Sequence, residues 1–197
     1  VGSYSKNFLK IGNTTLSLFW ESRTIGNASY IFASDANGDG GGTNDLIYVH
    51  RDQGEMNFSQ FTAGGVTYTP QAQAAAWDAY ISQDPYLSER RGEYAVRNAF
   101  FLPMLARMDL SVSQDIFKQM GGTRHRFQIR ADFINFGNML NSDWGVSQRL
   151  VNNQPLTNPA VDAQGRLTYR MRVVNGALMN QSLQQTADLN DVYKVMI

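Results

Sequence analysis

Residues 104–136 constrain the fold more than any other stretch. From Met104 to Ile116 the even positions read Met, Ala, Met, Leu, Val, Gln, Ile, and the odd positions read Leu, Arg, Asp, Ser, Ser, Asp. A period of two, with one exception on each face, places successive side chains on opposite sides of a strand. Met120-Gly121-Gly122-Thr123 follows, and its glycines can take the positive φ that a tight hairpin demands. From Arg124 the alternation resumes: Phe127, Ile129, Ala131 and Phe133 interleave with Arg126, Gln128, Arg130 and Asp132. The pattern predicts that Met104–Phe117 and Arg124–Phe136 pair antiparallel. Even positions of the first and odd positions of the second then share one apolar face.

The other face carries Arg107, Asp109, Asp115, Arg126, Arg130 and Asp132. Neighbours of opposite sign there contribute a few tenths of a kcal/mol each. Each half of the hairpin is about 10–13 residues long, enough to span bilayer hydrocarbon at the usual barrel tilt, whereas a soluble sandwich strand is nearer 5–6 residues. Two readings follow: a membrane barrel with lipid on the apolar face, or a soluble β-protein in which Leu110, Val112, Phe127 and Ile129 pack against a second sheet.

The chain has 197 residues, enough for a sizeable core in one domain. Lys+Arg and Asp+Glu balance at 17 each, so charge gives no case for a nucleic-acid partner. The absence of cysteine excludes disulfides, thiol catalysis and cysteine-held metals. No apolar run is long enough for a transmembrane helix. Val1-Gly2-Ser3-Tyr4 has neither the charged nor the apolar region of a signal peptide. Aromatic residues, 12% of the chain, suit the girdles of an outer-membrane barrel, and a β-rich soluble protein would be aromatic too.

In chain order, residues 1–13 read as a turn region and Thr14–Arg23 as a strand, with 28–32 continuing it or forming a short companion. Ser34–Asn44 is a loop by glycine content, Leu46–Val49 is short and extended, and 51–68 is irregular. Thr69-Pro70 opens a helix near Pro70–Gln83, with Ala74, Trp77 and Ile81 as its apolar stripe and Asp84-Pro85 as its stop. Residues 33–103 thus form one elaborate connection between strands. Glu89-Arg90-Arg91-Gly92-Glu93 reads as a solvated loop. Beyond the hairpin, 138–143 is a turn; Trp144, Val146 and Leu150 mark a fourth strand; 152–165 is a loop; 167–173 is a fifth strand; 175–190 is polar loop; and Tyr193, Val195 and Ile197 begin a sixth. About six strands are too few to close a barrel, and an open sheet leaves bare edges that lipid does not tolerate. The expected fold is all-β: an antiparallel transmembrane β-barrel fragment of about six long strands, with a large loop, 33–103, containing a short helix.

Asp35-Ala36-Asn37-Gly38-Asp39-Gly40 matches the start of a calcium loop, in which alternate carboxylate and amide oxygens converge on a hard cation. The closing acid is missing: Leu46 stands in its place, with Asp45 one position early. Asp35, Asn37, Asp39 and Asp45 are therefore candidate ligands for a structural Ca2+, against a turn whose side chains cap its own backbone. His50 and His125 are the two histidines, and His125 falls on the apolar side of the hairpin's end. No nucleophile elbow, phosphate loop or dinucleotide fingerprint is present, so no motif argues for an enzyme.

Three stretches carry a resemblance: residues 35–49 from Asp35-Ala36-Asn37-Gly38-Asp39-Gly40 to Asn44-Asp45-Leu46-Ile47-Tyr48-Val49; Leu87-Ser88-Glu89-Arg90-Arg91-Gly92-Glu93-Tyr94-Ala95-Val96-Arg97-Asn98; and Asp132-Phe133-Ile134-Asn135-Phe136-Gly137-Asn138-Met139-Leu140-Asn141-Ser142-Asp143-Trp144-Gly145. In this order they resemble the C-terminal part of TonB-dependent outer-membrane receptors, the Oar-like branch with a carboxypeptidase-regulatory-type N-terminal domain. The resemblance implies a barrel of about 22 strands around a plug, in the outer membrane of a Gram-negative bacterium, importing a substrate with energy passed through TonB. Its implied partners are outer-membrane lipid, the remainder of the barrel and plug, and TonB through a region this sequence does not contain. The family's last strand normally ends in an aromatic residue, and this chain ends in Ile197. The chain is thus expected to supply barrel wall and extracellular loop. The competing function is a soluble or secreted β-sheet binding module, such as a calcium-dependent adhesin or glycan binder.

Overall fold

The computed structural model describes residues 1–7, 12–186, 188 and 191–197. The chain is mostly β, its sheets are open, and it divides into two compact units. Among the described residues no helix is long and apolar enough to cross a membrane.

The first unit comprises Val1–Ile25, Pro103–Gln148 and Gln185–Ile197. Its frame is one antiparallel sheet in which Gly2–Lys6, Thr14–Thr24, Met104–Met120, Thr123–Ile134 and Lys194–Met196 lie side by side in that order. The central hairpin has the expected register: Met120 faces Thr123, Gln114 faces Ile129 and Leu110 faces Phe133. Gly121 and Gly122 both hold positive φ, 58° and 83°, as the two-residue turn that matches strand twist requires. Pairing then carries the alternation across all five strands. Gly2, Leu18, Leu110, Phe133 and Val195 form one row, and Ser3, Ser17, Ser111, Asp132 and Met196 form the next.

Lys6, Thr14, Met120 and Thr123, the strand ends joined by the shorter connections, lie at one end of this sheet, and Thr24, Met104, Ile134 and Lys194, the ends joined by the longer ones, lie at the other. The strand Thr123–Ile134 stops two residues earlier than the alternation predicts. Asn135 is left-handed (φ 53°), and Phe136–Leu140 is a short helix. Asn135 is fully buried. Its backbone N–H donates to Asp109 Oδ1 (2.7 Å), and its amide donates to the Gly145 (3.1 Å) and Asp191 (2.8 Å) carbonyls. Any side chain at Gly145 would meet Asn135 Oδ1 at 1.9 Å. These contacts explain why Asn135 and Gly145 stand where they do.

The second unit comprises Gly26–Leu102 and Arg149–Gln184. The insertion read from sequence as 33–103 therefore has a second contributor. Its core holds Tyr30, Ile47, Val49, Trp77, Tyr80, Ile81, Leu87, Phe100, Leu156 and Met171. Full burial of each large apolar side chain stabilises by about 1.5–3 kcal/mol. The helix spans Pro70–Gln83 as predicted, with Thr69 Oγ1 accepting from Ala72 N. Its buried stripe is wider than the sequence suggests, adding Tyr80 and Gln73 to Ala74, Trp77 and Ile81. Gln73 is satisfied on both sides: it donates to Ser59 O (2.9 Å) and accepts from Met171 N (3.0 Å). Asp84 ends the helix and is fully buried, accepting from Tyr30 Oη (2.5 Å), Tyr86 N (2.9 Å) and Leu87 N (2.8 Å).

Several expectations are corrected. The long sheet has five strands rather than about six, and only three of them are long, at 11, 17 and 12 residues. Gly2–Lys6 is a strand rather than a turn, because the Thr14–Leu18 segment offers it a partner; residues 8–11 of that expected turn lie outside the described residues. Trp144 sits in a turn, and only Gln148–Leu150 of the expected fourth strand is extended. The expected fifth strand is extended over Leu167–Met171 and pairs with Leu156–Val161, which lies within the expected 152–165 loop. Pro159 is tolerated because a register irregularity interrupts pairing between Thr157 and Ala160. Residues 51–68 contain a small hairpin, Phe61–Ala63 with Val66–Tyr68, and 175–190 contains Ala177–Leu178 and Leu183–Gln185; residues 187, 189 and 190 lie outside the described residues.

The turn gives a direct test. A Cβ at Gly122 meets nothing within 4 Å, so Gly122→Val is penalised by backbone conformation alone, about 1–2 kcal/mol. The denaturation midpoint should fall accordingly, while Gly121→Asn should be nearly neutral. Equal midpoints for Gly122→Val and wild type would contradict this turn.

Candidate functional site

The acidic loop is closed by its own side chains. Asp35 accepts from Gly38 N (2.6 Å) and Gly40 N (2.8 Å), and Asn37 Oδ1 accepts from Asp39 N (2.8 Å). Asp39 accepts from Gly41 N (2.7 Å) and from the Asn37 (3.2 Å) and Asn44 (2.8 Å) amides. Those donors, Gly41 first, hold the Asp39 carboxyl below its ordinary value. Asp45, nearly buried, accepts from Ala36 N (2.6 Å) and Asn37 N (3.3 Å). All four predicted ligands are thus gathered in one loop, with their oxygens turned onto amide donors as in linked Asx turns. Among the described residues no group of three or more His, Asp or Glu side chains is close enough to hold a metal ion. A calcium ion would have to draw these oxygens away from the amides they now accept from.

The first two motif stretches form one hydrogen-bonded layer. Tyr48 pairs with Tyr94 and Val49 with Glu93; Ala95 N donates to Ile47 O (2.8 Å), and Gly92 N donates to Val49 O (2.7 Å). Arg91, read from sequence as part of a solvated charge cluster, is instead a hub. Its guanidinium pairs with Asp78 (2.7 Å) and donates to the His50 (3.2 Å) and Arg51 (3.0 Å) carbonyls and to Ser82 Oγ (2.9 Å). A fork with several donors suits such a role where an ammonium would not.

Under this layer His50 is enclosed by aromatic partners. Trp77 Nε1 donates to His50 Nδ1 (3.0 Å), so the neutral ring carries its proton on Nε2 and donates it to Tyr169 Oη (2.5 Å). Tyr169 Oη also accepts from Asn57 N (3.0 Å). Burial pushes the His50 pKa down to about 4, although the charge of Glu55 opposes that shift. A ring held neutral between an indole and a phenol is a packing element, with no substrate-facing nitrogen.

The third cluster lies on the polar face of the long sheet. Asp115 accepts two bonds from Arg126 (3.0 and 2.9 Å) and one from Gln128 (3.0 Å), while Arg130 pairs with Asp132 (2.8 Å). Arg107 lies 3.7 Å from Asp191, which also accepts from the Ser147 and Thr186 hydroxyls. The predicted charges do share a face, and most of them are neutralised in place.

No protein family, curated protein or solved structure matches the chain.

The His50 arrangement sets a pH dependence. The unfolded imidazole binds its proton near pH 6.5 and the folded one near 4. Between those values the unfolded state binds more protons, so stability is full above about pH 6.5 and falls as pH drops, by about 3 kcal/mol in total. Unfolding monitored by Trp77 should show this slope in wild type and lose it in His50→Gln. An identical slope in both proteins would contradict the buried neutral ring.

Proposed function

We propose that this chain forms part of the wall and extracellular cap of a TonB-dependent outer-membrane transporter, with the apolar face of the long sheet against lipid. The carrying observation is that face. Leu18 and Trp20 on Thr14–Thr24 are 43% and 61% exposed, and Phe127 and Ile129 on Thr123–Ile134 are 57% and 60% exposed, and apolar side chains at such exposure favour hydrocarbon over water. A soluble module would cover Phe127 and Ile129 with a second sheet.

Three further features support the reading. Strands of 11, 17 and 12 residues reach across a bilayer at barrel tilt, which needs about 9–11 residues. The opposite face carries internally paired charges, as a water-filled lumen permits. Short connections gather at one end of the sheet and long ones at the other, the asymmetry of periplasmic turns against extracellular loops. The 152–165 connection is long for a periplasmic turn; with both flanking segments in the second unit, it need not be one. The bare edges, Gly2–Lys6 and Lys194–Met196, would pair with neighbouring wall strands, since lipid tolerates no open edge. In such a receptor the wall surrounds a plug, TonB supplies the energy for import, and no step requires catalysis by this segment.

Leu110→Arg and Ser111→Arg test the assignment in the intact barrel. Leu110→Arg should destabilise folding into lipid vesicles by about 2–4 kcal/mol near mid-bilayer, and Ser111→Arg by far less. Equal effects would count against a lipid-facing surface.

A further inference from the structure

We propose that a cleft in the second unit, walled by Arg170 and Arg172, binds a small organic carboxylate of acidic-sugar size. The cleft has a volume of about 370 Å³, within the lower range of small-ligand sites. Its floor follows from strand pairing. Ala33 pairs with Thr157, and Thr157 with Arg170, so the three share a row across three strands. Two small residues beside a long one leave room under the guanidinium. Tyr169 and Met171 turn into the core, which puts Arg170 on the opposite face of its strand.

The charge in this cleft has no counterion. Among the described residues neither arginine makes an ion pair, whereas Arg91, Arg107, Arg126, Arg130 and Arg166 all do. Both are instead anchored by neutral acceptors. Arg170 Nε donates to Ser59 Oγ (3.3 Å), and Arg172 donates to the Gln154 carbonyl (2.6 Å) and side-chain oxygen (3.3 Å). Among the described residues each guanidinium keeps at least one terminal nitrogen without a hydrogen-bond acceptor. Burial holds the Arg172 guanidinium below its ordinary value, with no acid opposing the shift. A pair of planar forks fixed at one side is suited to bidentate capture of a carboxylate.

The backbone around the cleft is also unusual. Ser34 and Asn158 both line it, and both hold positive φ, 94° and 53°, without being glycine. Strain of this kind persists where surrounding structure enforces it, commonly at ligand clamps. Asn158 sits in the irregularity between Thr157 and Ala160, and Ser34 is held by its N–H to Gly42 O (3.3 Å) at the neck of the acidic loop. Hydroxyls and an amide from Ser34, Thr157 and Asn158 suit the hydroxyls of a sugar acid. Phe61, with Arg170 stacked 5.4 Å from its centroid, supplies one apolar wall. Binding here is independent of which solvent covers the apolar face of the long sheet.

Titration calorimetry of the full chain in detergent with D-glucuronate tests this, with D-glucose and inorganic phosphate as comparison probes. Saturable glucuronate binding is expected, weakened at least about tenfold by Arg170→Gln through loss of charged hydrogen bonds, with glucose and phosphate binding more weakly than glucuronate. Ala33→Leu, which fills the floor and leaves the charge, should likewise weaken binding at least about tenfold. Near-UV circular dichroism identifies a variant that fails to fold, and Ala33→Leu then decides alone. Absence of glucuronate binding at millimolar concentration, binding unchanged in the folded variants, or phosphate and glucuronate binding equally well would each overturn the assignment.

Discussion

The pairing register of the central hairpin is the constraint on which the rest of the long sheet depends. A two-residue turn at Gly121-Gly122 makes Met120 face Thr123, so even positions of one strand meet odd positions of the next. A slip of one residue would move the whole apolar set to the charged face. Outward from the hairpin even positions meet even and odd meet odd, which keeps the same alternation of faces and places Leu18 and Gly2 on one side of Leu110 and Phe133 and Val195 on the other. The separation of apolar and charged surfaces is thus a property of five strands in register.

The second unit is stabilised differently. Its strands are short, and its order comes from aromatic packing joined to saturated polar groups. Trp77 stacks on Tyr80 at 5.3 Å and donates to His50; Asp84 gathers Tyr30 and two amides; Gln73 bridges the helix to Met171. Removing one partner from such a network leaves a buried donor or acceptor unmet, about 1–3 kcal/mol each. This rigidity can hold the strained backbone at Ser34 and Asn158 around the cleft.

What the sequence reveals depends on how local the determining interaction is. The hairpin, its glycine turn and the Pro70–Gln83 helix are legible because alternation, positive φ and the Thr69-Pro70 cap are local signals. The Gly2–Lys6 strand is not, because its polar residues extend only where a partner edge is available. Asn175-Gly176 is a strong hairpin signal, and it does join Val173–Val174 to Ala177–Leu178, so a reading as undivided polar loop passes over readable information. The acidic loop was legible as a turn, and its four oxygen-bearing residues do gather together. The cleft was not: Arg170 and Arg172 look like the solvent side of a strand, and only tertiary structure reveals that no acid meets them. Arg91 is hidden for the same reason, since its partners lie 9 to 41 residues away.

In the proposed membrane arrangement, odd positions of the Thr123–Ile134 strand face hydrocarbon and even positions face water. Because the chain has no cysteine, nitroxides can be placed singly at 126 through 131 in the intact, membrane-inserted protein and read by their collision with oxygen and with a water-soluble nickel chelate. The account predicts a period of two: oxygen favoured at 127, 129 and 131, the chelate at 126, 128 and 130. Equal access of the nickel chelate to both sets, or protection of the odd set from both reagents as in a packed soluble core, would contradict it.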